Sequence, residues 1–367
     1  AVQYPPREAC HNCLSLRLDW RLQTGRGELI SETTLAHSHD EFFRRRLPWR
    51  VGVVRLDSGP TIIAHLHSGT SQAPARVRVD ARLDLSGMAV LIAVPEKDVT
   101  NMTDDPQLRH MTCDPRLRNV LVTDGSTAVG QSLVRSLVAA GAALVWVGCT
   151  GSSLSMAGVA ALQQLGQVSL VPLDVANAGT VQDLATQIGA QVDILINTAE
   201  LHRTGNPNST TDVENARAEM EVNYFGLLRL AQAFGPAMRA RDTEGRSPAL
   251  AWVNLLSIYA LANFPAQSTF SASKAAAYSL TQSLRAEMQR AGMRVINAFP
   301  GPTDDGSNPA VPQLKLAPAA VADAIVTALR DGLEDVYPGE MAQEWLARWR
   351  ETPKGLEREI SAGQQHT

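Results

Sequence analysis

A chain of 367 residues, 44% hydrophobic and 19% charged, is long enough for two folded units and apolar enough for real cores. A formal net charge of −4, with one dense basic run at Arg44-Arg45-Arg46 that reads as a solvated turn, argues against a nucleic-acid role. No stretch reaches the ~18–20 consecutive apolar residues of a membrane span, AVQYPPREAC lacks a leader's basic-then-apolar pattern, and four cysteines do not suggest a disulfide scaffold, so a cytoplasmic protein is expected.

The chain opens on Cys10-His11-Asn12-Cys13 in residues 1–26. Glu28–Leu35, Arg50–Leu56, Thr61–Leu66, Ala75–Leu83 and Met88–Val94 are β-rich or alternating runs, separated by turn signals such as Asp57-Ser58-Gly59-Pro60 and Ser68-Gly69. Five short, closely spaced strands over residues 27–97 predict a small all-β barrel. A polar stretch carrying Asp104-Asp105-Pro106 and Asp114-Pro115 reads as a linker over 98–117.

From residue 118 the texture changes. Strand-like Asn119–Thr123 is followed by Val129, Leu133, Val134, Leu137 and Val138 at helical spacing. Ala143–Val147, Val168–Leu173, Asp193–Ile196, Trp252–Leu256 and Arg294–Ala298 are further apolar strands with helical stretches between them. Such alternation over 118–367 predicts an α/β doubly wound parallel sheet, a Rossmann domain.

Its first strand-to-helix turn runs Thr123-Asp124-Gly125-Ser126-Thr127-Ala128-Val129-Gly130. A glycine-rich turn there brings backbone N–H groups and a helix N-terminus up to a pyrophosphate. Asp174-Val175 follows the third strand, Asn197 and Ala199 end the fourth, and Asn223 lies in the next helix. Ser257 ends the fifth strand, Phe270 and Lys274 stand one helical turn apart, and Pro300-Gly301 follows the sixth. This ordered series resembles the short-chain dehydrogenase/reductase family from Asn119 to about Ala362. The resemblance implies NAD or NADP held by Thr123, Gly125, Gly130, Asp174, Val175, Asn197, Ala199, Pro300 and Gly301. It further implies catalytic positions at Ser257, Lys274, Asn223 and the site of the family's tyrosine.

The departures are ordered too. Phe270 replaces that tyrosine, Asp124 and Ala128 replace two turn glycines, and the Asn-Asn-Ala-Gly strand end reads Asn197-Thr198-Ala199-Glu200. Gly148-Cys149-Thr150 offers neither an acid for a ribose hydroxyl nor an arginine for a 2′-phosphate. In the family mechanism the tyrosine moves the proton, the lysine lowers its pKa and the serine orients the oxygen. Loss of a general acid typically costs ~10²–10⁴-fold. Bulk at Asp124 and Ala128 and the Asp124 charge argue against an occupied cofactor site. Lys274 and Ser257 read equally as ties between helix and loop, and Asn223 as a helix-kink partner. Asp174 either binds adenine or caps the next helix; Glu200 is a solvated or salt-bridged loop residue, or a block in the cleft. Tyr259 reads most simply as a loop aromatic and, less simply, as a surrogate acid; Tyr278, two turns past Phe270, is too far to replace it.

The front segment, with Tyr4-Pro5-Pro6-Arg7 before Cys10 and Cys13, and Gly25-Arg26-Gly27 after them, resembles the DUF35 family, an OB-fold preceded by a zinc ribbon. Members commonly accompany thiolases. A structural zinc takes four ligands, and the family's other Cys pair lies upstream of Pro5. Zinc at Cys10 and Cys13 is therefore expected only if upstream ligands exist; the alternative is a metal-free remnant. His11, and the pairs His37 with His39 and His65 with His67, read as structural histidines.

The expectation is a non-catalytic or weakly catalytic dehydrogenase-fold subunit, partnered by an active paralogue, whose OB domain docks a thiolase or acyl-CoA lyase. The pair would act in β-hydroxyacyl-CoA oxidation and cleavage. The helix from Ser268, with Leu280, Leu284 and Met288 on one stripe, is the expected subunit interface. The alternatives are an active NAD(P)-dependent oxidoreductase with an unusual proton donor and a non-enzymatic scaffold. Nucleic-acid and membrane partners are not expected.

Overall fold

The computed structural model describes residues 2–5, 7–39, 41–44, 47–83, 89–97, 105, 108–152, 157–203, 213–243, 249–304 and 315–363. Arg45, Arg46, Met88, Asp104 and Pro106 lie outside the described residues. The chain divides into two compact units, Ala1–Thr112 and Cys113–Thr367.

The first unit is a closed five-stranded barrel. Its elements are β1 (Arg26–Leu35), the single turn α1 (Glu41–Arg44), β2 (Trp49–Leu56), β3 (Thr61–Leu66), β4 (Ala75–Leu83) and β5 (Ala89–Pro95). Strands close in the order β1-β2-β3-β5-β4, with only β3 and β5 parallel. Alternation sets the inside: Leu29, Val54, Ile62, Ala64, Leu66, Val77 and Ala93 fill the barrel. Strand positions match the sequence reading to within a few residues. Of the stretch expected as linker, Leu108 and Met111 sit in a 3₁₀ turn buried against Trp49, Ile92 and Val94. Asp105 is also buried and accepts the Ser68 N–H. A polar sequence thus hides two apolar anchors.

The second unit is a parallel seven-stranded sheet between helices. In chain order it has β6 (Asn119–Val122), α2 (Ala128–Ala139), β7 (Leu144–Cys149), α3 (Ala157–Gln163), β8 (Val168–Pro172), α4 (Ala178–Ile188) and β9 (Ile194–Asn197). Then come α5 (Glu214–Met220), a π-helical turn (Glu221–Gly226), α6 (Leu227–Thr243), β10 (Ala251–Leu255) and a 3₁₀ turn (Ile258–Ala260). The unit ends with α7 (Ser268–Gln289), β11 (Arg294–Ala298), α8 (Pro318–Asp331), β12 (Asp335–Val336), α9 (Glu340–Glu351) and α10 (Pro353–Gly363). The order β12-β11-β10-β9-β6-β7-β8 reverses beside β6, the crevice where such sheets bind ligands. β9, β10 and β11 are buried on both faces, which is why they read as mainly apolar runs rather than alternating ones, with Asn197, Asn254, Arg294 and Asn297 as buried polar exceptions. Buried Arg241 of α6 pairs with Asp193 at 2.7 Å, and that carboxylate also accepts the Asn119 N–H, fastening the starts of β6 and β9.

α7 departs from the sequence reading. Leu284 and Met288 are buried in this unit's own core, and Leu280 packs beside them. Ala277, Thr281, Leu284 and Met288 recur at helical spacing on the inner face, so the stripe expected at a subunit interface holds the helix onto its own core. Tyr278 is edge-on to Phe299.

Candidate functional site

A cleft opens at the ends of β9 and β10. Its wall includes Thr127, Thr198, Glu200, Ser257, Tyr259, Phe270, Pro300 and Gly301. The structure thus gathers residues spread over nearly half the sequence.

On one side stands the glycine-rich turn. Thr123 Oγ1 donates to Asn197 Oδ1 and accepts the N–H groups of Thr198 and Ala199, tying β6 to the end of β9. Gly125 is required by packing, since a Cβ there would lie 2.2 Å from Val147 Cγ1. At Gly130 it would lie 2.1 Å from the Asp124 carbonyl oxygen. Asp124 Oδ1 accepts both the N–H and the O–H of Ser126, at 2.7 and 2.6 Å. Thr127 caps α2 by accepting the Gly130 N–H, and Ala128 is the first helical residue. The turn keeps its shape, but an internal carboxylate holds part of its donor set.

Burial is the main reason that the Asp124 carboxyl is pushed above its usual range; the Ser126 bonds oppose this, and the charges of Glu200 and Asp174 add to it. The folded chain therefore holds this proton more tightly than the unfolded chain. The resulting stability is complete below the ordinary Asp pKa and is lost as pH rises through the folded value. Asp124→Asn keeps an oxygen for Ser126 without the charge. It is expected to raise the thermal midpoint at about pH 7 and to change it little near about pH 4, below which the native carboxyl is already neutral.

On the other side, α7 enters the cleft with Phe270 buried, its ring 4.5 Å from that of His202. Lys274 is 2% exposed. Its Nζ donates to the Leu255 carbonyl at 2.9 Å, pairs with Glu200 Oε2 at 2.7 Å and lies 5.4 Å from the Phe270 ring centroid. Glu200 is therefore a salt-bridged residue inside the cleft. Ser257 Oγ accepts the Tyr259 N–H. Asn223 lies in the π-helical turn, a feature frequent at functional sites. Its amide bonds Leu201 N–H, Leu201 C=O and Ser273 Oγ, and Ser273 donates on to the Phe270 carbonyl.

Asp174 and Val175 stand apart from this cluster. Asp174 Oδ1 accepts the Ala176 N–H, while Asn177 caps α4 by accepting from Gly179 and Thr180, so the helix-cap reading of Asp174 moves three residues on. Asn177→Ala is expected to cost about 1 kcal/mol in a denaturant titration, and Asp174→Ala less, since its one bond is exposed. Val175 is buried against Gly226. Gly301 and Pro300 line the cleft, and the Pro300 carbonyl accepts the Ile258 N–H.

Tyr259 is 3% exposed, stacked on Phe264 at 5.0 Å and tilted against Trp345. Burial pushes its phenol well above the usual range, which keeps it a neutral donor. Sequence reasoning missed His202 and Gln267, both lining the cleft. Neither belongs to a motif; the only sign was closeness, His202 two residues after Glu200 and Gln267 three before Phe270.

At the front, backbone groups of Cys13 and Asn12 hold the buried Cys10 thiol below its usual range. Cys13 is exposed, and His11 Nδ1 is 2.9 Å from Gln3 Oε1. Among the described residues no group of three or more His, Cys, Asp or Glu could hold a metal, so two thiols of this chain do not fit a four-ligand zinc. His65 accepts from Trp49, His67 accepts from Gly69, and His37 and His39 meet edge to face. Among the described residues no helix is long and apolar enough to cross a membrane.

Comparison with known proteins places both units. The profile of the short chain dehydrogenase family matches residues 118–313, more than half of the chain. That of the C-terminal OB-fold domain of ChsH2 matches residues 20–87. The chain is 34% identical over 190 residues to "Dehydrogenase/reductase SDR family member 7B" of Mus musculus, covering 50% of this chain and 56% of that protein. It is 31% identical over 183 residues to "Fatty acyl-CoA reductase" of Acinetobacter baylyi, covering 49% of this chain and 60% of that one. The chain thus spans little more than half the length of these relatives. A short chain dehydrogenase from Burkholderia cenocepacia, solved in complex with NADP, superposes with a TM-score of 0.60 at 34% identity, over 67% of this chain and 98% of its own.

Proposed function

Because the chain belongs to the short-chain dehydrogenase family, we propose that it is a degenerate member, non-catalytic or weakly catalytic, serving as a subunit of an acyl-CoA-processing assembly. The observation that carries this is the Lys274 ammonium paired with Glu200 at 2.7 Å, beside a phenylalanine in place of the family's proton donor. A lysine so placed has no phenol to tune.

The NADP of the Burkholderia structure makes NAD(P) the cofactor to test here. The cradle keeps its backbone shape, but the residues present do not fit a pyrophosphate well. Asp124 sits on the Ser126 N–H and O–H, Glu200 occupies Lys274, and both add negative charge. The OB barrel is the surface that docks a thiolase or acyl-CoA lyase, and an active dehydrogenase paralogue supplies the oxidation of a β-hydroxyacyl-CoA. The acyl-CoA class is supported by the name of the Acinetobacter relative, and the docking role only by the fusion itself.

A second reading, an active oxidoreductase with Tyr259 as proton donor, is favoured by one observation: Tyr259 is a residue of the cleft wall, and its buried hydroxyl has no hydrogen-bond partner among the described residues. Titration of the purified chain with NADH and NADPH, followed by a β-hydroxyacyl-CoA oxidation assay, separates the two. No saturation at submillimolar cofactor and no turnover are expected. Submillimolar binding together with turnover would sink the degenerate reading. Co-purification from the native source then tests for a paralogue and a thiolase.

A further inference from the structure

Shortly before β1 the chain reads Leu14-Ser15-Leu16-Arg17-Leu18-Asp19-Trp20-Arg21-Leu22, apolar and polar in strict alternation. That is the pattern of a strand with one apolar face. Among the described residues this run joins no sheet. Its only backbone-to-backbone bonds are local: Leu14 N–H to the Cys10 carbonyl, Cys10 N–H to the Ser15 carbonyl and Leu18 N–H to the Leu16 carbonyl. Leu14, Leu16, Trp20 and Leu22 are 76%, 76%, 88% and 103% exposed, and Leu18 39%. Scattered exposed leucines are ordinary, but five apolar side chains in register, a tryptophan among them, are not. The barrel of the same unit is closed, so it has no free edge for this segment to join.

We propose that residues 14–22 pair antiparallel with the same residues of a second copy of this chain, about a two-fold axis through Leu18. The sequence is self-complementary in that register. Leu14 faces the other copy's Leu22, Leu16 faces Trp20 and Leu18 faces Leu18, while on the polar side each Arg17 faces an Asp19 and each Ser15 an Arg21. Other registers fail. Centring on Arg17 or Asp19 sets like charges face to face. Centring on Leu16 or Trp20 sets two of the five apolar residues against residues outside the run. An odd slip turns the apolar face of one strand to the polar side of the other. The match of charge to charge and apolar to apolar thus selects a second copy over an unrelated protein. The pairing exchanges the local Leu18–Leu16 bond for ladder bonds, and two strands alone make a weak contact, better trapped than weighed.

Disulfide trapping in the full chain tests it, in a Cys13→Ser background that removes the exposed native thiol. Facing residues of an antiparallel pair have Cα atoms ~4.5–5.5 Å apart, within the ~4.4–6.8 Å that a disulfide spans. Leu18→Cys is therefore expected to give at least about tenfold more disulfide-linked dimer than Leu16→Cys or Trp20→Cys, whose equivalents in the two copies would lie about 13 Å apart along the strands. Adding Arg17→Asp or Asp19→Arg to Leu18→Cys is expected to lower trapping about 3–10-fold, because each sets like charges opposite one another. Mixing those two chains, or making both changes in one chain, is expected to restore it, since Asp again faces Arg. All these positions are exposed, so the thermal midpoint should not move, which checks that folding is intact. The proposal is overturned if Leu18→Cys gives no linked dimer, which would leave the segment to a different protein or to another part of the chain. It is equally overturned if Leu16→Cys or Trp20→Cys links as well, or if the charge reversals change nothing, the behaviour of an apolar face that adheres without register.

Discussion

Phe270→Tyr with Glu200→Gly and Asp124→Gly is expected to raise NADPH-dependent reduction of a 3-oxoacyl thioester by about 10²–10⁴-fold over the native chain, the range a positioned general acid supplies. Phe270→Tyr alone is expected to stay near the native level. The new phenol would stand one helical turn from Lys274, but that ammonium would still answer to Glu200 at 2.7 Å. A nearby carboxylate offsets the positive field that makes a phenol acidic. Glu200→Gly frees the lysine, and Asp124→Gly frees the Ser126 N–H and removes a buried charge from the cradle. Ser257 is in the cleft wall, Asn223 in its π-helical turn, and the Gly125 and Gly130 backbone is packed too closely for a side chain, while Ala128 and Thr198 stay as in the native chain. Steady-state rates for the single, double and triple variants decide it. A Phe270→Tyr rate equal to the triple variant's would show that Glu200 and Asp124 are not obstacles. A native rate equal to the triple variant's would show that Phe270 is not one either.

The sheet, the barrel and the strand ends that carry Thr123, Asn197 and Ser257 were legible because alternating texture and glycine-bearing turns are local properties. Four things were not. β12 is two residues long, Asp335–Val336, too short for any pattern. Leu108 and Met111 hide in a polar stretch, and only the barrel shows what they cover. The stripe on α7 has the same spacing whether it faces a partner or its own core, so periodicity could not separate the two. In the site, each departure was visible as a letter, but the relation between them was not. That Glu200 and Lys274 meet, and that His202 lies on Phe270, are contacts between residues 74 and 68 positions apart, which spacing rules do not reach.

The Glu200–Lys274 pair should also be visible in stability, and asymmetrically. Lys274 is 2% exposed at its side chain and Glu200 26%. Removing one partner of a fully buried pair costs ~3–5 kcal/mol, because the other charge is stranded away from water. Glu200→Ala strands the lysine with one carbonyl, that of Leu255. With some water reaching the carboxylate end, a loss of about 2–3 kcal/mol is expected. Lys274→Met strands a carboxylate that water already reaches, and its expected loss is smaller, about 1–2 kcal/mol, part of it from the abandoned Leu255 carbonyl. The double variant should lose less than the two together, with a coupling of about 1 kcal/mol or more. Urea titration of the four chains gives the cycle. If the losses simply add, the pair is a surface contact of no consequence. If Lys274→Met is the costlier single change, the methylene stem of the lysine, not its charge, is what the core needs.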